Sequence, residues 1–166
     1  AVKTNNEIDE KFFNKFELLS DQILKVKNVN RVFSFIDAPI LFLNNSSLSS
    51  LSANNIETIK NSKYNAIEVV KELSNNPIYK DQIINGKGNV FSLIIYLDKN
   101  SKMEKARTDY DKLIISRKEF LEIKKANDKQ RNILISEIRN VLIKNKDNNE
   151  YYLGGVEMIA NDVINF

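Results

Sequence analysis

The sequence has no cysteine and no histidine among its 166 residues. Without cysteine there is no disulfide and no thiol nucleophile, and without either residue the usual zinc ligands are missing. Histidine is also the side chain that most often carries acid–base catalysis near neutral pH. Much enzyme chemistry is therefore excluded, and no catalytic, cofactor-binding or metal-binding residue is nominated by the sequence.

Long apolar runs are also missing. No segment approaches the roughly 18 apolar residues that a bilayer span needs, and no apolar leader follows a basic start. Hydrophobic residues make up 42% of the chain and charged residues 28%, which is usual for a folded globular protein. We expect one soluble domain over residues 1–166. The 25 basic and 22 acidic residues are spread evenly, so nucleic-acid binding is not expected.

Hydrophobic spacing predicts a helix near the start of the chain. Asn5 or Asn6 is expected to cap it, and it should end near residues 27–28. Its apolar residues recur every three or four positions and define one buried face: Ile8, Phe12, Phe16, Leu19, Ile23 and Val26. A strand over Arg31–Ile36 follows, because β-branched and aromatic residues are concentrated there and Pro39 ends the segment.

The middle of the chain predicts a helical insert over residues 53–84. Residues 40–52 are rich in asparagine and serine and predict a surface connection. Short helices are expected over residues 54–60 and 65–73, the second with Ile67, Val70 and Leu73 facing inward. A glycine- and asparagine-rich turn at residues 85–89 then leads into a buried strand, Val90–Leu97.

The region from Ser101 to Lys146 contains neither proline nor glycine, which predicts a helical arm over residues 101–146, either one long helix or a hairpin. The polar stretch Lys124–Asn132 is expected to project into solvent. Two apolar patches flank that stretch: Leu113, Phe120 and Leu121 before it, and Leu134, Ile138, Val141 and Leu142 after it. A last strand is expected over Glu150–Leu153.

The resulting order is strand, helix, strand, helical insert, strand, helix, strand. Such a series predicts an α+β fold, with a ferredoxin-like split βαβ sheet that carries helices on one face. The helical insert and the helical arm are additions to that arrangement.

Four segments of the chain resemble the extracytoplasmic loop domain of the resistance-nodulation-division (RND) transporter superfamily, in its MMPL-like or hydrophobe exporter branch. They are Phe35–Leu41, Asn76–Ile84, Arg131–Ile143 and Tyr152–Asp162. The last is the most specific, because its sequence YLGGVEMIAND is similar to the family pattern FLGGVPMIAxD. Glu157 stands where the family usually has proline, and the arm lacks the glycine-containing turn that the family would lead one to expect.

This resemblance implies a protein that is not an enzyme: a periplasmic porter domain of a proton-driven exporter in the bacterial inner membrane. The domain would form part of the path of a hydrophobic or amphiphilic substrate, whose identity and contact residues are not implied. Its partners would be the transmembrane helices and the second periplasmic domain of the same transporter, with homo-oligomerisation of the parent left open. Residues 156–166 would begin the lead into a transmembrane helix that lies outside this sequence.

A second interpretation is a free-standing ferredoxin-like interaction module that uses its long helical arm for protein pairing. A continuous coiled-coil seam is disfavoured by the polar stretch Lys124–Asn132, since such a seam needs sustained apolar heptad positions.

Several side-chain groups were weighed as sites, and each is better explained structurally. Gly154-Gly155 lacks the rest of a nucleotide fingerprint and is expected to be a backbone hinge. The acidic clusters Asp109/Asp111 and Glu7/Asp9/Glu10 are expected to be solvated helix faces. The remaining groups are aromatic residues assigned to the core and basic residues assigned to solvent: Phe12, Phe13, Phe16, Phe33, Phe35 and Phe91, and Lys124, Lys125, Lys129 and Arg131.

Overall fold

A computed structural model describes residues 1–5, 8–40, 58–61 and 65–164. Over these residues the chain forms five α-helices and five short strands, which confirms the predicted α+β class. The strands are β1 (Val2–Lys3), β2 (Val29–Ser34), β3 (Val90–Phe91), β4 (Leu93–Leu97) and β5 (Glu150–Tyr151). The helices are α1 (Glu10–Leu24), α2 (Ala66–Asn75), α3 (Ser101–Asp111), α4 (Arg117–Lys144) and α5 (Val156–Ile164).

The strands form two small antiparallel sheets that share one continuous segment. In the first sheet β1 lies between β3 and β5, and in the second β2 pairs with β4. Only Ser92 separates β3 from β4, and its amide donates to the carbonyl of Ile83, 2.8 Å away. The two sheets therefore follow one another in the order β5, β1, β3/β4, β2.

The prediction of one buried strand over Val90–Leu97 is wrong in two respects. The segment is divided at Ser92, and in β4 the side chains of Ile94 and Tyr96 are 36% and 41% exposed. The exposure follows from the pleat, since successive side chains of a strand point to opposite faces and an antiparallel sheet can leave one face to water. The guanidinium of Arg31 on β2 covers part of that face, 4.4 Å from the ring centre of Tyr96.

Helix α1 confirms the predicted amphipathic pattern but not its ends. The cap is Asp9 rather than Asn5 or Asn6, because the Asp9 carboxylate accepts a hydrogen bond from the Phe12 amide at 2.9 Å. The helix ends at Leu24, before the predicted residues 27–28. Its core face carries Phe12, Phe16, Leu19 and Ile23, all buried.

An aromatic cluster joins α1 to the sheets. Phe35 and Phe91 are fully buried with ring centres 4.5 Å apart, and Phe16 lies 4.8 Å from Phe35. Phe35 begins a short 3₁₀ turn over residues 35–37, which ends the strand earlier than the predicted Ile36. Leu134 and Ile138 of α4 belong to the same core, as their predicted apolar patch required.

Helix α2 lies where the second short helix was predicted, with Asn65 as its N-cap. The predicted inward face is wrong in part, because Val69 and Leu73 are buried while Ile67 is 66% exposed. Val69 and Leu73 are four residues apart and so share a face that Ile67 does not. Most of the predicted surface connection and of the first short helix falls within residues 41–57, outside the described residues.

The helical arm is a hairpin rather than one long helix. Helices α3 and α4 are joined by residues 112–116, and Leu113 adopts a positive φ of 59° that reverses the chain without glycine. Two contacts hold α3 against α4: the side-chain amide of Asn100 donates to Asn127 at 2.7 Å, and the rings of Tyr110 and Phe120 stack with centres 4.7 Å apart.

This packing corrects two predictions about the arm. The stretch Lys124–Asn132 does not all project into solvent, because α3 packs beside it and the Asp128 side chain is only 16% exposed. The predicted earlier apolar patch does not form, since Leu113 and Leu121 are 88% and 48% exposed while Phe120 stacks on Tyr110.

The start of β1 and the end of β5 lie side by side at one end of the sheets, which we name the exit end. The amino group of Ala1 donates to the Tyr152 carbonyl at 2.6 Å, so β1 begins where β5 ends. The segment β3/β4 runs antiparallel to β1 and continues six residues beyond Phe91, the partner of Val2, to Leu97. Helix α3 follows, and its 11 residues have a length of about 16 Å.

Candidate functional site

A cleft with a volume of about 750 Å³ lies at the exit end. Three separate stretches form its walls: the end of β4 with the start of α3, the middle of α4, and the chain between β5 and α5. The cleft is open to solvent on one side. Its size is in the range of small-molecule binding sites.

Apolar side chains form the floor of this cleft. Leu134, Ile135 and Ile138 contribute from α4, and each is less than a tenth exposed. Ile95 and Leu97 of β4 add their side chains from the sheet, since residues two apart on a strand face the same way. An acyl chain or another apolar group can therefore be removed from water against this surface.

Polar side chains form the rim. Arg131 of α4 bridges two carboxylates, because its Nη1 lies 3.4 Å from Oδ1 of Asp128 and its Nε contacts Oε2 of Glu157. Asp128 also accepts from Lys124 at 2.7 Å. These contacts join α4 to the start of α5, so the charged rim closes one side of the apolar floor.

Helix α5 is tied to α4 by a second ion pair. Nη2 of Arg139 contacts both carboxylate oxygens of Asp162, at 2.8 and 3.1 Å. The helix follows Gly154 and Gly155, and Gly155 has a φ of 121°, a conformation that side chains other than glycine rarely adopt. The glycine pair thus makes the turn that redirects the chain from β5 onto α4 and borders the cleft.

In residues 156–166, the spacing of Ile159, Val163 and Phe166, four and three residues apart, predicts an apolar face. Ile159 was expected to pack on the base of the domain or at a bilayer surface, and its side chain is 57% exposed. The side chain of Val163 and all of Phe166 lie outside what the structure describes.

A smaller cavity of about 180 Å³ lies between α1 and the loop before β5. The Tyr151 hydroxyl donates to the Asn145 carbonyl at 3.0 Å, and burial raises the pKa of Tyr151. Burial also acts to raise the pKa of Asp147. Hydrogen bonding from the Asn149 amide and the ammonium group of Lys15, 3.2 Å away, outweighs it, and the Asp147 pKa lies below its ordinary value. These groups brace the loop.

The structure locates the aromatic, acidic and basic residues that the sequence offered as candidate sites. Of the phenylalanines, Phe12, Phe16, Phe35 and Phe91 are buried in the core, with Phe13 and Phe33 packed against it. Asp9 caps α1, and no group of three or more His, Cys, Asp or Glu side chains among the described residues could hold a metal ion. The remaining group, the basic residues of the arm, includes one member of the cleft, Arg131.

Sequence reasoning named no residue of this cleft as a binding residue. The cleft is built from stretches far apart in the sequence, at residues 95–104, 127–138 and 153–158. The one available signal was Gly154-Gly155 directly after a strand, which marks where the third wall begins.

Comparison with protein-family models, with curated proteins and with solved structures finds no match to this chain. Among the described residues, none of the helices combines the length and the apolar character needed to cross a membrane.

Proposed function

We propose that this chain is a periplasmic porter-type domain of a proton-driven RND exporter of the MMPL-like branch, and that its cleft forms part of the path of a hydrophobic or amphiphilic substrate. The role is binding and guidance rather than catalysis. The proton relay of such an exporter would lie in membrane helices, where ionisable residues mark the transport pathway.

The strand order supports the ferredoxin-like arrangement that this proposal requires. If β3 and β4 are taken as one strand interrupted at Ser92, the antiparallel order is β5, β1, β3/β4, β2. That order, with α1 linking the first pair of strands and α4 the second, corresponds to two split βαβ units.

The observation that carries the proposal is the position of the cleft. An apolar floor with a charged rim lies at the exit end, beside the point where β1 begins and the chain leaves β5. In a loop domain held between two neighbouring membrane helices, both connections leave the fold side by side. A substrate that rises from the bilayer would then meet this cleft before the rest of the domain.

The chemistry of the cleft favours an amphiphile. The apolar side chains of α4 and β4 can cover an acyl chain or ring system, while Arg131, Glu157 and Asn100 offer donors and acceptors to a polar group at the rim. The segment Tyr152–Asp162, which carries the strongest family resemblance, supplies the third wall.

The coding sequence on either side of this chain provides the first test. The proposal expects an apolar span of about 20 residues on each side, and a second copy of the same unit of loop and span elsewhere in the gene. Polar sequence on both sides would contradict the proposal.

Binding of a fluorescent amphiphile to the chain provides the second test. We expect 11-(dansylamino)undecanoic acid to bind with enhanced emission, and the double variant Leu153→Gln/Met158→Gln to weaken binding about tenfold, since both side chains line the cleft. Ile143→Gln is the matched control, because Ile143 is 67% exposed and is not part of the cleft lining. Equal weakening by the control would show that the probe does not use the cleft.

A further inference from the structure

The tip of the helical arm exposes large apolar side chains beside basic ones. Leu113 is 88% and Ile114 66% exposed, and Leu121, one helical turn into α4, is 48% exposed. We name the tip patch as residues 112–118, which read Lys-Leu-Ile-Ile-Ser-Arg-Lys. Nothing in the cleft or in the proposed substrate path involves these residues.

The exposed residues of the tip belong to a hydrogen-bonded turn. The amides of Leu113 and Ile114 donate to the carbonyls of Tyr110 and Asp109, at 2.9 and 2.8 Å, so the backbone is satisfied. Leu113 nevertheless occupies the left-handed region with φ 59°, where glycine or asparagine is favoured at a helix end. A leucine held there against the local preference presents an apolar side chain to solvent.

The charges within the tip patch are all positive, and the exposed carboxylate of Asp111 lies directly before it. Lys112, Arg117 and Lys118 are exposed, and the seven residues contain no acid. The nearest following carboxylate, that of Glu119, accepts hydrogen bonds from the amide and hydroxyl of Ser116 at 2.8 and 2.7 Å and so serves the cap of α4. Two apolar side chains thus project between three cations.

We propose that the tip patch binds the surface of an anionic phospholipid bilayer. Leu113 and Ile114 would enter the boundary between headgroups and acyl chains, while the three cations meet lipid phosphates, an arrangement known for interfacial segments with basic and apolar residues.

Sedimentation with lipid vesicles tests the proposal on the chain itself. We expect it to bind vesicles of phosphatidylglycerol and phosphatidylcholine in equal parts, less to phosphatidylcholine alone, and less as salt screens the charges. The double variant Leu113→Asn/Ile114→Ser should lower the partition coefficient about tenfold or more. Asparagine suits a positive φ, so this variant is not expected to unfold the turn.

A charge variant separates the two contributions. Arg117→Gln/Lys118→Gln should lower binding to the anionic vesicles by about tenfold or more and leave binding to phosphatidylcholine unchanged. Both residues lie in the first turn of α4, where a positive charge opposes the helix dipole, so removing them should not destabilise the helix. Ile67→Gln is the matched apolar control, because Ile67 is as exposed as Ile114, and it should bind like wild type.

Three results would overturn the proposal: anionic vesicles bound no better than neutral ones, tip variants that bind as well as wild type, or light scattering that shows a dimer converted to a monomer by Leu113→Asn/Ile114→Ser. The outcome is separate from that of the proposed function. Polar flanking sequence together with tip-dependent vesicle binding would contradict the exporter proposal and support the lipid-binding tip. Apolar flanking sequence without such binding would support the exporter proposal and contradict the lipid-binding tip.

Discussion

Replacement of Phe35 by alanine tests the idea that one aromatic cluster holds the two sheets and α1 together. Phe35 is 0% exposed, and its ring centre lies 4.5 Å from that of Phe91, 4.8 Å from Phe16, 5.7 Å from Phe13 and 6.2 Å from Phe12. Truncating a buried phenylalanine costs about 3–5 kcal/mol through lost burial and the cavity that remains. With four ring neighbours that cannot all move inward, we expect the upper half of that range.

Such a loss is large beside the total free energy of unfolding, which for single domains is about 5–15 kcal/mol. Phe120→Ala is the matched control, because Phe120 is only partly buried and stacks on one ring, that of Tyr110 at 4.7 Å. We expect the control to cost about 1–2 kcal/mol, from one aromatic pair and a modest area.

Urea unfolding followed by far-ultraviolet circular dichroism measures both variants, since the chain has no tryptophan to report by fluorescence. Phe35→Ala should shift the midpoint strongly with little change in slope. If Phe35→Ala and Phe120→Ala cost the same, or if Phe35→Ala costs less than about 2 kcal/mol, the aromatic cluster is not the common core of the sheets and α1.

Three further predictions concern single contacts. Gly88→Ala should lower the unfolding free energy by about 1–3 kcal/mol, because Gly88 has φ 68° and a new Cβ would lie 2.9 Å from a valine methyl of α2; an unchanged thermal midpoint would argue against that geometry. Asp147→Asn should be most destabilising at neutral pH. Burial acts to raise the pKa of Asp147, but the hydrogen bond from the Asn149 amide and the charge of Lys15 outweigh it and lower the pKa. The carboxylate therefore contributes stability above the ordinary carboxyl pKa, and this stability is lost as the pH falls through the folded value. Unfolding curves at pH 7 and pH 3 should show the gap between variant and wild type narrowing in acid, and a constant gap would contradict the assignment. A double-mutant cycle on Arg139 and Asp162 should give a coupling below about 1 kcal/mol, because both side chains are two-fifths exposed; a much larger value would mean that α5 is held more firmly than this pair explains.

Local patterns predicted the parts of this fold that local physics controls. The spacing of Phe12, Phe16, Leu19 and Ile23 gave the buried face of α1, because a helix places residues three and four apart on one side. The glycine- and asparagine-rich turn before β3 was predicted for the same kind of reason, and Gly88 has the positive φ that such a turn needs.

Pairings between distant segments were not predictable in this way. The division of Val90–Leu97 at Ser92 depends on which neighbour each half meets, and the neighbours are β1 and β2. The sequence could not decide between one long helix and a hairpin, because Leu113 and not a glycine adopts the left-handed conformation at the turn. The cleft could not be predicted either, because it also depends on contacts between distant segments: its three walls meet only after the sheets have formed.

The two-residue strand β1 makes the completion of the sheets depend on segments far apart in the sequence. Val2 pairs with Phe91 on one side and with Tyr151 on the other, so β1 receives its last partner only after β5 has been synthesised. The arm, by contrast, contains mostly contacts close in sequence and can form early, as local helical contacts do. A nascent chain would therefore contain a folded arm beside an incomplete sheet, and one edge of β1 would stay unpaired and open to misassociation until β5 has been synthesised.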